Sequence, residues 1–464
     1  MDRHTNKERS MRRKRIACIM LCTLSLQALA YPADKNDLAH QLDAMLRSSV
    51  GNDAPGASVL VAQDDKVIYR GAYGKANLDL NVALTPQHVF RIGSITKTFT
   101  AAAMVRLSAT RQLSLDDPLS KYLPDFPNGG HITLAQLLSH TSGVSDNWDA
   151  DPGKPLDTPS LVKLIAAKAP DFEPGAAWSY SNSGYILLGA VLEKVTGKPW
   201  AEAIHDQLTA RIGLDHTAFY ADDAIVPGLV SGYSQNESGK VTQAPYVTIS
   251  GPGAAGALVS TTDDLFRWMR ALATDRALPA GLYQTMSSPK STARGDPVPY
   301  GYGLMLGTVR GESIIEHNGG IDGFASQLTY FPTQHVTVVV LANTDAGSPS
   351  PRSLAHRLGA LAIGKPYAEL DAAMASTAYL QGLSGAYRIA ENAKHILSIE
   401  HGNLVIQRDG GPKRALAVAK DDVLFFPSDK TDHIKVIRDT RGAVTALDFY
   451  ADGMPPARHE TRLP

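Results

Sequence analysis

Strand-forming segments lie far apart in this chain, and a long stretch with no sheet of its own separates them. Residues 57–62 and 66–73 are rich in β-branched and aromatic side chains, and the polar turn between them predicts a hairpin. After a short strand at 89–92, strand signals return at 312–316 and 327–343. A sheet that uses all these segments has to be assembled around a helical insertion. The pattern therefore predicts an α/β sandwich, in which helices flank an antiparallel sheet and a mostly helical subdomain adjoins it.

The rest of this first domain is predicted to be helical. The spacing of apolar residues is clearest at 183–195 and 262–273, and an apolar helix at 353–363 follows the last strand. A Gly-Lys-Pro sequence then breaks the pattern and leads into an Ala-rich stretch. We therefore expect a first domain over 31–364 and a linker over 365–380.

The last part of the chain, 381–464, has a different kind of sequence. Short runs of alternating apolar and polar residues recur there at regular spacing, separated by Gly, Asp and Asn. Such spacing is typical of small antiparallel all-β folds. We predict a small C-terminal β-barrel or sandwich with strands at 387–389, 395–399, 404–407, 415–419, 423–426, 433–438 and 444–450.

The N-terminus predicts a secretory signal peptide over residues 1–30. Basic residues at 12–15 precede an apolar stretch over 16–29, and an A-x-A cleavage site ends at Ala30. We expect export to the periplasm or the medium, and no stable insertion of the mature protein in a membrane. Both cysteines, Cys18 and Cys22, lie in this segment, so the exported protein would have neither disulfides nor thiol chemistry.

The charges of the chain nearly cancel, with 45 Lys and Arg against 46 Asp and Glu. No strong electrostatic field is therefore available to attract nucleic acid or an anionic membrane surface, and a small molecule or peptide is the expected substrate. No cluster of His and Glu with the spacing of metal ligands occurs, so we expect neither a metal nor an organic cofactor.

A Ser-x-x-Lys pattern carries the predicted chemistry, but it occurs three times. A serine nucleophile is favoured at a helix N-terminus, where the macrodipole stabilises an alkoxide, and a lysine three residues later lies on the same helix face. Pro289 would interrupt a helix in one copy, and another has charged surroundings. Ser94 alone joins a strand to an apolar helix, so we predict Ser94 as nucleophile and Lys97 as its partner. The three copies are Ser94/Lys97, Ser160/Lys163 and Ser287/Lys290.

The sequence Arg-Ile-Gly-Ser-Ile-Thr-Lys around Ser94 resembles the serine β-lactamase and penicillin-binding superfamily, whose members carry two further motifs. A literal Ser-Asp-Asn at 145–147 resembles class A enzymes. Tyr180-Ser181-Asn182 instead resembles the Tyr-x-Asn of class C β-lactamases and D-alanyl-D-alanine carboxypeptidases. Its distance from Ser94 and its surrounding sequence favour Tyr180, because 145–147 ends a segment that resembles a structural loop of the same branch.

A conventional catalytic triad could also be sought in that loop. His140, Ser142 and Asp146 are the residue types such a triad needs. Their crowding within one loop favours local capping and turn hydrogen bonds instead.

The third motif is His317-Asn318-Gly319, which follows a predicted strand. It resembles the Lys-Thr-Gly motif of the superfamily with histidine in place of lysine. With histidine at this position, the motif resembles that of D-alanyl-D-alanine carboxypeptidases, D-aminopeptidases and related esterases more than that of class C β-lactamases. The resemblance implies that Asn182, His317, Gly319 and Gly320 bind substrate.

The resemblance also implies acyl transfer through a covalent ester on Ser94. Its proton would pass either to Tyr180 as a phenolate sustained by Lys97 or to Lys97 as a free amine, and the sequence leaves both open. Asn182 would orient Lys97 and a substrate amide. The backbone N–H groups of Ser94 and Gly320 would hold the oxyanion, while a histidine in the third motif would bind a substrate carboxylate or support the tyrosine.

The expected function is hydrolysis of amide bonds in small peptides that contain D-amino acids, as a D-alanyl-D-alanine carboxypeptidase or a D-aminopeptidase. A carboxylesterase or acyltransferase could use the same site. A non-catalytic penicillin-binding sensor, with β-lactams as acylating ligands, is the alternative from another class. The C-terminal domain resembles the lipocalin-like domain of some D-amino-acid-processing members, and its expected role is to cover or shape the cleft.

Overall fold

The computed structural model describes residues 35–146, 151–347 and 350–464, so the predicted signal peptide and Asn147 lie outside the described residues. A six-stranded antiparallel sheet joins two distant parts of the chain, with the strand order β3-β4-β5-β6-β1-β2. Val59 of β1 pairs with Val340 of β6 at the junction. The strands are β1 (Ala57–Gln63), β2 (Lys66–Tyr73), β3 (Met305–Val309), β4 (Glu312–Ile321), β5 (Phe324–Phe331) and β6 (Val336–Ala342).

Helices cover both faces of this sheet, which is why β1 and β6 are buried along almost their whole length. On one face Val59 packs with Leu42 and Leu354. On the other face Leu60 belongs to the same apolar core as Trp268 of the helical subdomain. The predicted α/β sandwich is therefore confirmed. The helices are α1 (Lys35–Ser49), α2 (Thr96–Ala109), α3 (Leu134–Leu138), α4 (Thr158–Ala166), α5 (Asn182–Thr196), α6 (Trp200–Ile204), α7 (Ala210–Ile212), α8 (Thr262–Ala273), α9 (Leu282–Ser287), α10 (Pro351–Ala362) and α11 (Thr377–Leu383).

The helical subdomain contains only short strand pairs among its described residues. They pair Lys75–Asn77 with Val82–Ala83, Phe90–Arg91 with Val259–Ser260, Tyr233–Gln235 with Val241–Gln243, and Lys290–Ser291 with Pro297–Val298. Tight helical turns at Gly93–Ile95 and Gly253–Ala255 lie on either side of the candidate site, and a π-helical turn, His205–Thr209, joins α6 to α7. No helix in the described part of the chain is both long and apolar enough to cross a bilayer.

The C-terminal part forms a closed barrel of eight antiparallel strands, one more than predicted. Its interior is filled by apolar side chains such as Tyr387, Leu424 and Leu447. Residues 366–376 have neither helix nor strand, and α11 begins at Thr377, inside the predicted linker. The strands are β7 (Gly385–Ala390), β8 (Ala393–Glu400), β9 (Asn403–Arg408), β10 (Lys413–Val418), β11 (Val423–Phe425), β12 (His433–Arg438), β13 (Val444–Tyr450) and β14 (Arg458–Arg462).

The barrel is fixed to the sheet at the turn between β3 and β4. The carboxylate of Asp452 accepts hydrogen bonds from the backbone N–H of Arg310 and the hydroxyl of Tyr367. The Arg310 guanidinium in turn donates to the carbonyl oxygens of Asp452 and Gly453, at 3.1 and 2.8 Å. Strand β4 runs roughly 30 Å from this turn to Gly320. The barrel is therefore held at the end of β4 remote from the glycines of the third motif.

Candidate active site

Ser94 lies where the chain turns from the short strand Phe90–Arg91 into α2. Gly93 has a φ of 51°, a left-handed conformation that glycine adopts without strain, and Ser94 follows it in the helical turn before α2. Backbone N–H groups at such a helix start have no partner within the helix. Ser94 is partly exposed and lines a cleft of about 320 Å³. This is the strand-to-helix position that the sequence predicts for a nucleophile.

The side chain of Lys97 is fully buried and reaches Ser94. Its Nζ lies 3.1 Å from Ser94 Oγ, 2.7 Å from Asn182 Oδ1 and 2.8 Å from the carbonyl oxygen of Ala255. Burial lowers the pKa of Lys97 to about 7, although the charge of Asp146 acts in the opposite direction. Amide and carbonyl oxygens only accept hydrogen bonds. An uncharged Lys97 therefore donates both N–H groups to Asn182 and Ala255 and keeps its lone pair for the Ser94 hydroxyl.

Asp146 fixes the orientation of Asn182, which begins α5. Asn182 Nδ2 donates to Asp146 Oδ2 at 2.8 Å, and Asp146 Oδ1 accepts from the backbone N–H of Ser183 at 2.8 Å and from its hydroxyl at 3.1 Å. Because Nδ2 is directed to Asp146, Oδ1 faces Lys97. Asp146, the acidic residue of the literal Ser-Asp-Asn sequence, thus orients the asparagine of the Tyr-x-Asn motif.

Tyr180 contacts the nucleophile and lies beside the lysine. Its hydroxyl lies near enough to Ser94 for that side chain to lower the pKa of the phenol, and Lys97 Nζ lies 4.9 Å from the centroid of its ring. Burial raises the pKa of Tyr180 above its ordinary value, and the interaction with Ser94 offsets only part of that rise. A phenolate is therefore disfavoured. Of the two bases that the sequence leaves open, Lys97 is the one whose pKa moves toward neutrality.

His140 lies buried against Tyr180 and belongs to no serine triad. Its Nδ1 accepts the backbone N–H of Ser181 at 3.1 Å, and its ring centroid lies 4.4 Å from that of Tyr180. Ser142 Oγ accepts the backbone N–H of Val144 at 3.3 Å within the same loop. The Ser142 contact is a local turn hydrogen bond, as predicted for this loop, whereas His140 and Asp146 instead hold the backbone and side chains at the start of α5.

His317 is buried beneath the cleft, with 1% of its surface exposed. Its Nδ1 donates to the carbonyl oxygen of Asn318 at 2.7 Å, so Nε2 accepts a hydrogen bond from the hydroxyl of Tyr300 at 2.8 Å. Burial, helped by the charge of Lys97, lowers the pKa of His317 to about 3. An uncharged imidazole with both nitrogens engaged offers no cation to a substrate carboxylate. Of the two expected roles, the geometry fits support of Tyr180, whose ring centroid is 6.2 Å away.

Gly319 and Gly320 occupy different environments. Gly319 is buried against the nucleophile turn, where a Cβ atom would lie 2.0 Å from the carbonyl oxygen of Ile92. Gly320 is exposed and lines the cleft with Ser94. The main chains at Gly93 and Gly320 approach so closely that a Cβ on Gly93 would lie 2.7 Å from the Gly320 nitrogen. Gly319 therefore permits this approach, and Gly320 is the residue that can present its N–H to a substrate.

The remaining cleft walls are mostly apolar, with charge confined to the rim. Ile186, Val247 and Ile321 line it together with Leu156 and two prolines. Its charged lining residues are Asp151 and Lys154, whose exposed side chains form an ion pair at 3.8 Å. Within the described ranges no three His, Cys, Asp or Glu side chains group closely enough to hold a metal ion.

The two other Ser-x-x-Lys pairs lie elsewhere. Ser160 and Lys163 are exposed on α4. Ser287 Oγ donates to the carbonyl oxygen of Tyr283 at 3.0 Å, and Lys290 Nζ donates to the carbonyl oxygen of Thr285 at 2.9 Å, so both side chains serve the end of α9. Neither pair lines the cleft.

Two groups of the site were not predicted from the sequence. The carbonyl oxygen of Ala255 holds Lys97, and a signal for it existed in the glycine- and alanine-rich segment 251–256. The hydroxyl of Tyr300 holds His317. No local pattern marks Tyr300, because it meets its partner only through the pairing of the sheet and the loop before β3.

A serine at the start of a buried helix, a lysine one turn later and a tyrosine on the serine hydroxyl define a serine hydrolase of the penicillin-binding type. The chain belongs to the Beta-lactamase family, whose family model matches residues 42–362.

Known relatives and structures agree with this class. The chain is 25% identical over 402 residues to Penicillin-binding protein 4* of Bacillus subtilis (strain 168), a match that covers 81% of this chain and 86% of that protein. It is 28% identical over 323 residues to a D-aminopeptidase of Gluconobacter oxydans (strain 621H), covering 68% of this chain and 60% of that protein. The structure of a D-stereospecific amidohydrolase from Streptomyces sp. matches with a TM-score of 0.58 and 29% identity over 67% of this chain and 95% of that one. The chain is a serine hydrolase.

Proposed function

We propose that this hydrolase cleaves amide bonds of small peptides or amino-acid amides that contain D-amino acids, through an acyl-enzyme on Ser94. The observation that carries the proposal is the position of Lys97, whose two acceptors, Asn182 and Ala255, leave its lone pair to the Ser94 hydroxyl. The substrate class rests on the similarity to a D-aminopeptidase and to a D-stereospecific amidohydrolase.

The proposed reaction begins with attack of Ser94 Oγ on the substrate carbonyl carbon while its proton passes to Lys97 Nζ. The oxyanion that forms is held by the backbone N–H groups of Ser94 and Gly320; one such donor contributes about 3 to 4 kcal/mol. The hydroxyl of Tyr180 then donates its proton to the leaving amine as the C–N bond breaks and takes up the proton held by Lys97, so Lys97 is again a free amine. Water then attacks the ester while its proton passes to Lys97, and Lys97 returns a proton to Ser94 Oγ as the C–O bond breaks, which releases the acid and restores the serine.

The uncharged state of His317 favours an amidase or aminopeptidase over a carboxypeptidase. His317, which replaces the lysine of the third motif, is uncharged, and both of its ring nitrogens are already hydrogen-bonded. A C-terminal carboxylate would therefore meet no fixed cation there. At the rim, Asp151 is paired with Lys154, so the two charges there balance. The apolar wall around Ile186 is suited to the side chain of an N-terminal residue.

Activity and labelling of Ser94→Ala test the proposal, with Ser160→Ala as the matched control because it removes the serine of another Ser-x-x-Lys pair. D- and L-alanine p-nitroanilide, p-nitrophenyl butyrate and D-alanyl-D-alanine peptides serve as substrates, and fluorescent penicillin and fluorophosphonate serve as labels. We expect Ser94→Ala to lose hydrolysis and label, Ser160→Ala to keep both, and the D-anilide to react fastest. If Ser94→Ala is still labelled, the assignment of Ser94 as nucleophile is overturned. Preference for the ester would favour an esterase, and acylation without turnover would favour a sensor.

We also propose that the chain is exported after cleavage following Ala30. The basic residues at 12–15 and the apolar stretch at 16–29 support this. N-terminal sequencing of the protein from a periplasmic fraction should begin at Tyr31. Recovery of the intact N-terminus from the cytoplasm would contradict it.

A further inference from the structure

A second cavity, of about 500 Å³, lies between α7 and α8, and four arginines line it: Arg211, Arg267, Arg270 and Arg276. None of its lining residues lines the cleft at Ser94. Its other walls are apolar, formed by Ile212, Phe266 and Ala271, and its carboxylate is Asp65.

Each arginine of this cavity is held by a contact that leaves other N–H donors of its guanidinium available. Arg211 donates through Nε to the carbonyl oxygen of Asp206 at 2.9 Å. Arg267 uses Nη1 for Asp264 at 3.3 Å. Since a guanidinium carries five N–H donors in a fixed fork, the groups are oriented but not saturated.

Four arginines and one carboxylate, Asp65, line the cavity, while Asp64 lies 4.0 Å from Arg270 and Asp264 pairs with Arg267 from outside the lining. Asp65 accepts from both Arg270 Nε and Arg276 Nη2, each at 3.2 Å, so one carboxylate serves two cations. Arg270 is almost buried, with 7% of its side chain exposed. The charge of Arg211 also adds to burial in lowering the pKa of a neighbouring arginine, Arg106. Because these cations repel one another, an anion bound in the partly apolar cavity would stabilise them.

We propose that this cavity binds a phosphate-bearing ligand, a phosphomonoester or phosphodiester group whose organic part rests on Phe266. Arginine forks match the tetrahedral oxygens of phosphate and can hold them with paired hydrogen bonds. The apolar wall accounts for an organic group beside the anion. The site is separate from hydrolysis at Ser94, so it would localise the enzyme or report on its surroundings rather than take part in acyl transfer.

Binding of phenyl phosphate and of inorganic phosphate to the full chain, measured calorimetrically in low salt, tests the proposal. Arg211→Gln with Arg276→Gln is the test variant, because both side chains belong to the cavity wall. Arg47→Gln with Arg441→Gln is the matched control, since these arginines are exposed and lie outside the cavity. We expect saturable binding, tighter for phenyl phosphate, that weakens at least about tenfold in the test variant and not in the control. Hydrolytic activity and the thermal midpoint should be the same in both variants.

Vesicles of phosphatidylcholine with and without phosphatidylglycerol identify the source of the phosphate. If the anionic vesicles bind the protein and the test variant weakens that binding, the ligand is a lipid headgroup. If only the soluble phosphates bind, the ligand is a free phosphoester. The absence of saturable binding to any probe, or an equal loss in the control variant, would overturn the proposal.

Discussion

Lys97 Nζ lies 2.7 Å from Asn182 Oδ1, an atom that can only accept a hydrogen bond. This contact, with the one to Ala255, leaves an uncharged Lys97 with its lone pair directed at Ser94. Because burial lowers the pKa of Lys97 to about 7, the base that we propose is protonated below that pH and free above it. We expect kcat/KM to rise with pH, with an apparent pKa near 7, and to level off above it. Initial rates with an amide substrate across this range give the profile.

Lys97→Arg tests the same assignment, because a guanidinium stays protonated throughout that range. We expect kcat to fall by a factor of about 10² to 10⁴. The rise of kcat/KM near pH 7, the limb of the pH profile, should disappear. Lys163→Arg, in the exposed copy of the pattern, is the control and should keep the wild-type profile. A limb unchanged in Lys97→Arg would assign the base to another group.

Asp146→Asn should alter both the rate and its pH dependence. The negative charge of Asp146 raises the pKa of Lys97, so its removal should move the limb to lower pH. The plateau rate above this pH should fall about 10- to 100-fold, because asparagine keeps only one of the two oxygens that hold Asn182 and Ser183. Asp157→Asn is the control, since Asp157 caps α4 with a hydrogen bond from the backbone N–H of Ser160. It should affect stability only, and a limb that moves upward in Asp146→Asn would contradict the electrostatic argument.

Tyr300→Phe should destabilise the protein. It removes the donor to His317 Nε2 and leaves a buried nitrogen without a partner, which costs about 1 to 3 kcal/mol of unfolding free energy. Tyr283→Phe is the matched control, because the Tyr283 hydroxyl is buried without a hydrogen-bond partner and its removal should be neutral or slightly stabilising. Thermal midpoints of the two variants make the comparison. Equal losses would mean that the hydrogen bond to His317 contributes nothing.

The sequence predicted those parts of the site that depend on local spacing. Lys97 follows Ser94 by one helical turn, and Asn182 follows Tyr180 at the start of a clear helix, so each pair is positioned by its own element. Tyr300 and Ala255 act through tertiary contacts with residues far along the chain. Segment 251–256 marks the tight turn that contains Ala255 but not its partner, and nothing near Tyr300 marks His317. The uncharged, buried state of His317 was therefore not predicted.

The difference between local patterns and tertiary contacts also explains which strands were predicted. Strands with regular apolar alternation were predicted, but β14 was not, because its buried position is a glutamate. Glu460 is fully buried, and its carboxylate accepts from Arg458 at 2.7 Å and lies 2.8 Å from His395 Nδ1. An ion pair inside the barrel thus replaces the apolar residue that the pattern requires. β3 was missed since most of its residues are partly or fully exposed at the edge of the sheet.

Asp452→Ala should loosen the barrel without affecting catalysis. Its carboxylate joins Arg310 to Tyr367 across the contact with the sheet, and hydrogen bonds to a charged group contribute about 1.5 to 3 kcal/mol each. Among the described residues that line the cleft, none belongs to the barrel, so the expected covering role of the C-terminal domain does not fit this structure. We expect a lower thermal midpoint with unchanged kcat/KM, and no change in either for the exposed control Glu391→Ala. A loss of kcat/KM in Asp452→Ala at a temperature where it is folded would restore a role for the barrel at the cleft.

Gly319→Ala should damage catalysis far more than Gly320→Ala, although the two positions are adjacent. A Cβ at Gly319 would lie 2.0 Å from the carbonyl oxygen of Ile92, a backbone atom two residues before Ser94, so the nucleophile turn has to move. A displacement of about 1 Å can lower the rate about 10²-fold. A Cβ at Gly320 meets no atom within 4 Å, and alanine keeps the N–H, so its loss should be much smaller. Comparable values of kcat/KM for the two variants, at equal thermal midpoints, would show that the nucleophile turn tolerates the shift and that its contact with β4 does not position Ser94.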